Sequence, residues 1–234
     1  MRLMITTVLM DYDSTLHDMD GVMERSLDGI LGYSGEELYH MWVFEIHRAL
    51  IHRRYLDRHD DMMFHCTLLF DHLELSFDKE TADLICAKFE EAQETAKKAP
   101  IYYPDAVPAL EALKDMGLTL CLSTGYGAGQ KAKTLERRTG KKFFKHIFSE
   151  PALGVLKTEP EYYRKALRLA KAKPVETVSV GDTPLSDIRP AKLVGIKTIW
   201  VNRNQEPRPM DEDQIADYET KDLKKAMEII RKLL

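Results

Sequence analysis

The chain has 234 residues, 44% hydrophobic and 31% charged, so it is long and apolar enough to fold around a sizeable core. Its formal net charge of −4 offers no basic surface for nucleic acid, and no apolar run is long enough to span a membrane. Three widely spaced cysteines fit no zinc or CxxC spacing and indicate reduced thiols, and residues 1–10 are too short for a signal peptide, so we expect a cytoplasmic protein.

The first predicted element is a buried strand, Leu3–Met10, that runs into two acidic residues. Residues 3–10 are mostly apolar or β-branched, as in strands covered on both faces. The sequence VLMDYDSTL then places Asp11 and Asp13 on either side of a single tyrosine. Neighbouring carboxylates make each other harder to ionise, and burying them without a partner is costly. We therefore expect a function that requires both carboxylates.

The next segment, from about Ser34 to Ala99, is helical throughout and predicts no strand. The stretch SGEELYHMWVFEIHRAL begins with Ser34 and Glu37 in capping-box spacing. The stretch DKETADLICAKFEEAQETAKKAP begins at a plausible cap, Asp78, and must end before Pro100. These features predict an all-α module inserted after the first strand.

From Pro104 onward, predicted helices and strands alternate. The strands are LTLCLS, TVSVGD and IKTIWV, and the helices are DAVPALEALKDMG, AGQKAKTLERRTG, PEYYRKALRLAKA, DIRPAKLVG and TKDLKKAMEIIRKLL. An exposed loop is expected over Asn202–Gln214. This alternation predicts the α/β class, with a Rossmann-like parallel sheet that includes the first strand. The predicted domains are a core of residues 1–16 and 100–234 and a helical module of residues 17–99.

Two local motifs resemble ligand-binding loops but fail on spacing. The stretch STGYGAGQK matches neither nucleotide-binding fingerprint, because Lys131 follows Gln130 instead of a glycine. We interpret it as a flexible turn that begins a helix and lets the backbone approach a phosphate. The stretch DYDSTL is not a calcium-binding EF-hand loop, since Leu16 occupies the position that requires glycine.

Polar residues follow the predicted strands or precede a helix at the same edge of the sheet. They are Asp11, Asp13, Ser123, Thr124, Lys157, Asp182 and Asp187. Ligands of open α/β sheets bind outside the carboxyl ends of the strands. Carboxylates suit Mg²⁺, and a lysine with hydroxyl groups suits phosphoryl oxygens. The sequence therefore predicts a site for magnesium and phosphate.

The paired aspartates suit two different tasks in phosphoryl transfer. A carboxylate aligned with phosphorus can attack it and form an aspartyl-phosphate. A second carboxyl group can protonate the leaving oxygen and then activate the hydrolytic water. This division of roles accounts for two acidic residues in one short segment.

Taken in order, four motifs resemble those of the haloacid dehalogenase superfamily of phosphohydrolases. They are DYDST with Asp11, Asp13 and Thr15, LCLS with Ser123, LKTEP with Lys157, and GDTPLSD with Asp182 and Asp187. The resemblance covers residues 1–16 and 100–210. The sequence departs from the family at Ser14, where glycine is common, and at Thr124, where asparagine often follows the second motif.

The resemblance implies a role for each matched residue. Asp11 would be the nucleophile and Asp13 the acid/base. Mg²⁺ would be held by Asp11, Asp182 and the backbone carbonyl of Asp13, while Asp187 would support the metal ligands or orient Lys157. Ser123, Thr124 and Lys157 would bind the substrate phosphate. The helical module resembles the family's C1 cap, a lid that selects substrate.

The expected function is the magnesium-dependent hydrolysis of a small phosphorylated metabolite through an aspartyl-phosphate. Two related activities remain open. A 2-haloacid dehalogenase needs no residue equivalent to Asp13, whereas a sugar-phosphate mutase keeps both aspartates. A catalytically inactive binding or regulatory protein is a further alternative, although no motif residue is missing. A homodimer is also left open, and we expect neither nucleic acid nor a membrane as a partner.

Overall fold

A computed structural model describes residues 4–234, without the side chains of His52 and Leu56. These residues form two compact units. The α/β unit contains Tyr102–Leu234 and the described residues up to His17, and the helical unit contains Asp18–Ile101. The sequence placed the corresponding boundaries after residues 16 and 99. No helix in the described part of the chain is both long and apolar enough to cross a bilayer.

The α/β unit is built on a six-stranded sheet in which all paired strands are parallel. The strands are β1 (Thr7–Met10), β2 (Thr119–Ser123), β3 (His146–Phe148), β4 (Thr177–Gly181), β5 (Lys197–Val201) and β6 (Tyr218–Thr220). Their order across the sheet is β3-β2-β1-β4-β5-β6. The predicted α/β class with a parallel sheet is confirmed. Leu3, the predicted first residue of β1, lies outside the described residues.

Register brings the carboxyl ends of three strands together. Met10 of β1 pairs with Leu122 of β2 and with Val180 of β4. The next backbone N–H, that of Asp11, donates to the carbonyl of Val180 over 2.9 Å. The residues that follow these positions therefore lie side by side at one edge of the sheet.

Helices cover both faces of the sheet. Those of the α/β unit are Ala106–Asp115, Ala128–Thr139, Glu150–Leu153, Pro160–Ala170, Arg189–Lys192 and Leu223–Leu233. Val8 and Met10 belong to one apolar core, and Leu9 belongs to the other. Side chains alternate between faces along a strand, so a fully apolar β1 requires cover on both sides.

Two edge strands, β3 and β6, were not predicted. Each has only three residues and lacks the apolar run that identifies the buried strands. Each instead depends on pairing with a longer neighbour, β2 or β5. The last helix was correspondingly predicted too long: Thr220 belongs to β6, and Asp222 caps the helix that begins at Leu223.

The helical unit has its own apolar core. Its helices are Met19–Leu27, Gly35–His40, Met41–Ile51, His52–Arg54, Met62–His72 and Lys79–Lys98, with no strand among residues 18–101. The predicted capping box at Ser34 and the cap at Asp78 are confirmed. The Met41–Ile51 segment is a π-helix, so the helix predicted through Leu50 changes pitch after His40. Ile46, Leu69 and Ile85 are among the fully buried core residues.

Candidate active site

Asp11 is a buried carboxylate at the carboxyl end of the central strand. Its side chain is 9% exposed, and its Oδ1 lies 2.5 Å from the Nζ of Lys157. Burial raises the pKa of Asp11 to about 6, and the negative charge of Asp187 adds to the rise, whereas Lys157 opposes it. Asp11 is therefore harder to ionise than an ordinary aspartate.

Lys157 links two of the predicted site residues. Its Nζ lies 2.5 Å from Asp11 Oδ1 and 2.6 Å from Asp187 Oδ1, and its side chain is 5% exposed. Burial alone would lower the pKa of Lys157, but the carboxylates of Asp11 and Asp187 hold it well above the usual value. The ammonium group therefore stays charged. The backbone N–H of Lys157 donates to Glu150 Oε1 over 2.8 Å, and this hydrogen bond holds the backbone at Lys157 in place.

Asp187 reaches Lys157 because the chain leaves space for it beside β4. Its Oδ2 accepts a hydrogen bond of 3.1 Å from the backbone N–H of Thr183. A Cβ atom at Gly181 would overlap the Asp187 carboxyl group, so a glycine is needed at this close approach. In the GDTPLSD segment, the side chain of Asp187 therefore packs against the end of β4.

Three carboxylates converge at this edge of the sheet. Asp11, Asp182 and Asp187 each offer an oxygen, and these oxygens all lie within 4.8 Å of one another. Thr15 Oγ1 also donates to Asp182 Oδ1 over 3.4 Å, and Trp200 Nε1 donates to the Asp182 carbonyl over 2.6 Å. Hard oxygen donors at this separation fit Mg²⁺. Asp187, predicted to support the metal ligands or to orient Lys157, is one of the three, while the carboxylate of Asp13 is not in the group.

Asp13 is engaged at both carboxylate oxygens. Its Oδ1 accepts from His17 Nδ1 over 3.2 Å, and its Oδ2 accepts from Lys131 Nζ over 2.5 Å. Burial would raise the pKa of Asp13, but the hydrogen bond from His17 and the charge of Lys131 lower it to about 2. Asp13 is therefore ionised at neutral pH.

Ser123 is the last residue of β2, Thr124 follows it, and both are buried. Ser123 Oγ donates to the hydroxyl group of Tyr162 over 3.3 Å, and that hydroxyl lies 3.2 Å from the carbonyl of Thr124. Thr124 Oγ1 accepts a hydrogen bond of 2.9 Å from Lys131 Nζ. The residues predicted to bind phosphate are therefore tied to the Asp13 side of the site through a lysine.

Sequence reasoning missed two residues that contact Asp13. Lys131 lies in the STGYGAGQK stretch, where Gly127 adopts a φ of 67° and the helix begins at Ala128. His17 follows Asp13 by four residues in a tight loop, and its Nε2 is buried without a hydrogen-bond partner among the described residues. The sequence feature that could have indicated Lys131 is a lysine in the first turn of a helix that comes after the end of a predicted strand.

Comparison with known proteins agrees with the motifs. A sequence model of the haloacid dehalogenase-like hydrolases matches residues 5–195. A glyceraldehyde 3-phosphate phosphatase of Methanopyrus kandleri is 32% identical over 133 residues, covering 56% of this chain and 57% of that protein. A phosphoserine phosphatase of Thermus thermophilus is 30% identical over 122 residues, covering 52% of this chain and 48% of that protein. The chain thus spans about half the length of these relatives.

A solved structure shows the same fold over nearly the whole chain. The magnesium-bound hydrolase YfnB of Bacillus subtilis superposes with a TM-score of 0.72. The superposition covers 97% of this chain and 99% of YfnB, at 20% sequence identity. At that identity the likeness describes the fold alone.

Proposed function

Because the chain belongs to the family of haloacid dehalogenase-like hydrolases, we propose that it is a magnesium-dependent phosphatase acting on a small phosphomonoester. The observation that carries the proposal is the contact of Lys157 with Asp11 and Asp187 at a cluster of three carboxylates. The names of the two phosphatase relatives support the reaction class. They leave the substrate open, since one leaving group is an uncharged aldehyde and the other an amino acid.

In the first step, Asp11 acts as the nucleophile. Lys157 holds Oδ1, which leaves Oδ2 to form a bond to phosphorus while the bond from phosphorus to the leaving oxygen breaks. The product is an aspartyl-phosphate on Asp11. Because Asp13 is ionised at rest, it first takes up a proton from solvent and then donates that proton to the leaving oxygen, so that an alcohol departs instead of an alkoxide.

In the second step, Asp13 acts as a base. It takes a proton from a water molecule, whose oxygen forms a bond to phosphorus while the bond to Asp11 breaks. Inorganic phosphate leaves, and Asp11 is again a carboxylate. This role requires a second carboxyl group beside the nucleophile, which distinguishes a phosphatase from a dehalogenase.

The remaining site residues would bind Mg²⁺ and the phosphate group of the substrate. Mg²⁺ held by Asp11, Asp182 and the Asp13 carbonyl would neutralise the phosphoryl oxygens. We assign phosphate binding to Ser123, Thr124 and Lys157, and alignment of Lys157 to Asp187. We assign substrate selection to the predicted cap, residues 17–99.

The test is phosphate release from 4-nitrophenyl phosphate with Mg²⁺ and with EDTA, using the wild type and Asp11→Asn. We expect turnover that requires Mg²⁺ and falls at least about a thousandfold in Asp11→Asn, because the nucleophile is lost. The matched control is Asp115→Asn, which changes an exposed aspartate at the end of a helix and should leave turnover unchanged.

Three results would contradict this proposal. Turnover that survives Asp11→Asn would require a different nucleophile. Chloride release from 2-chloropropionate without phosphatase activity would indicate a dehalogenase. Interconversion of glucose 1-phosphate and glucose 6-phosphate without phosphate release would indicate a mutase.

A further inference from the structure

Lys131 is a second lysine in the candidate site, and none of the four family motifs includes it. Its Nζ donates to Asp13 Oδ2 over 2.5 Å and to Thr124 Oγ1 over 2.9 Å, and it lies 5.3 Å from the centre of the Tyr12 ring. A lysine ammonium group has three N–H donors. One of them therefore lacks an acceptor among the described residues and is available to a ligand.

The position of Lys131 in its helix is intrinsically unfavourable. The helix begins at Ala128, and the backbone N–H of Lys131 makes a helical hydrogen bond to the carbonyl of Gly127 over 2.9 Å. A positive side chain in the first turn opposes the helix dipole. The contacts with Asp13 and Thr124 offset this cost, so the ammonium group is held at the strand ends and not in solvent.

Lys131 is the accessible partner of Asp13. The side chain of Lys131 is 20% exposed, compared with 3% for His17. Each of these two residues contacts one carboxylate oxygen of Asp13, whose side chain is 42% exposed, so a leaving-group oxygen that approaches Asp13 lies beside them and competes for the same carboxylate. The buried imidazole cannot be displaced by a ligand as readily as the lysine can.

We propose that Lys131 determines specificity by exchanging Asp13 for a carboxylate carried by the leaving alcohol of the substrate. The proposal rests on the phosphatase activity described above. A neutral hydroxyl group on the substrate would not replace the charge-assisted contact that Lys131 gives up, whereas a carboxylate would. The substrate class is therefore a phosphomonoester with a carboxylate a few bonds from the ester oxygen.

The test compares two non-hydrolysable ligands that differ in this carboxylate. They are 3-phosphonopropionate and propylphosphonate, and their dissociation constants are measured calorimetrically with Mg²⁺ present. The wild type should prefer 3-phosphonopropionate by about tenfold or more, as expected for a hydrogen bond between charged groups. Lys131→Met should abolish this preference. Lys133→Met, an exposed lysine on the same helix, should retain it.

Each alternative result has a definite meaning. A preference that persists in Lys131→Met, or a wild type without preference or without binding, overturns the inference. Equal weakening of both ligands in Lys131→Met would also overturn it, since the lysine would then bind the phosphoryl group. Asp11-dependent turnover without the preference would contradict only the role of Lys131. The Lys131-dependent preference without turnover would contradict only the phosphatase proposal.

Discussion

At the scale of single residues, burial makes the Asp11 carboxylate costly to ionise unless a proton or a cation binds to it. The pKa of its carboxyl group rises from 3.8 to about 6, chiefly because the side chain is buried. Binding a proton therefore stabilises the metal-free fold. That contribution is complete below the unfolded-state pKa and is lost as the pH rises through about 6. A cation on the carboxylate would compete with this proton.

The resulting prediction concerns the pH dependence of magnesium binding. The apparent affinity should weaken as the pH falls below about 6, approaching tenfold per pH unit, because Mg²⁺ must displace one proton from Asp11. Titrating the thermal unfolding temperature with Mg²⁺ between about pH 5 and about pH 8 measures this dependence.

Asp11→Asn is the control for that experiment, because an asparagine cannot titrate. The variant should bind Mg²⁺ more weakly, and the weakening below pH 6 should disappear. An affinity that stays constant across the range in the wild type would show that Asp11 is not a ligand or that its pKa is ordinary.

The residues that sequence could identify are those whose chemistry is tied to a strand end. Ser123 ends a recognisable apolar strand, Asp11 and Asp182 each follow one, and the ordered motifs were enough to predict the family. Lys131 and His17 carry no comparable signal. Their positions depend on a left-handed turn at Gly127 and on a tight loop after Tyr12, and both are set by hydrogen bonds that the sequence does not reveal.

At the scale of elements, the last position of β4 requires a residue without a side chain. Gly181→Ala should lower the free energy of unfolding by about 1–3 kcal/mol, because its methyl group would overlap the Asp187 carboxyl group. Displacing Asp187 should also weaken Mg²⁺ binding. Chemical denaturation and magnesium titration measure the two effects.

The matched control is Gly129→Ala. This glycine lies in the helix Ala128–Thr139, and a Cβ atom there would meet nothing within 4 Å. The free energy of unfolding should rise by up to about 1 kcal/mol, since alanine favours helix. Equal effects of the two substitutions would mean that the contact of Gly181 with Asp187 is not tight.

Helices and strands were predictable where their own residues show a recognisable pattern of apolar or capping residues. The buried strands and capped helices were identified from local composition, and Ser34 and Asp78 cap their helices as expected. The edge strands β3 and β6 were missed because neighbouring strands impose their conformation. The π-helix from Met41 was missed because its apolar residues are equally compatible with an α-helix.

At the scale of the whole molecule, the chain leaves and re-enters the α/β unit at adjacent residues. His17 and Tyr102 form an antiparallel bridge, and the backbone N–H of Asp18 donates to the carbonyl of Ile101 over 2.8 Å. Replacing residues 19–100 with Asn-Gly would join these ends by a two-residue hairpin turn. We expect the shortened protein to fold and to unfold cooperatively, as measured by circular dichroism.

The physical reason is that each unit packs its apolar residues into cores of its own. Val8 and Leu9 pack within the α/β unit, whereas Ile46 and Leu69 pack within the helical unit. The shortened protein should also still bind Mg²⁺ through Asp11 and Asp182. A broad, non-cooperative transition would show that the α/β unit depends on the helical unit for stability.

The strand order also has a consequence for protein synthesis. Asp11 is translated before β2 and β4, but β1 lies between these two strands in the sheet, and Asp182 and Asp187 follow β4. On the ribosome, a partly made chain therefore contains Asp11 without the carboxylates and the lysine that surround it later. Such long-range strand pairing forms only after both strands have emerged. A nascent chain thus assembles the candidate site only after β4 has been added to the sheet.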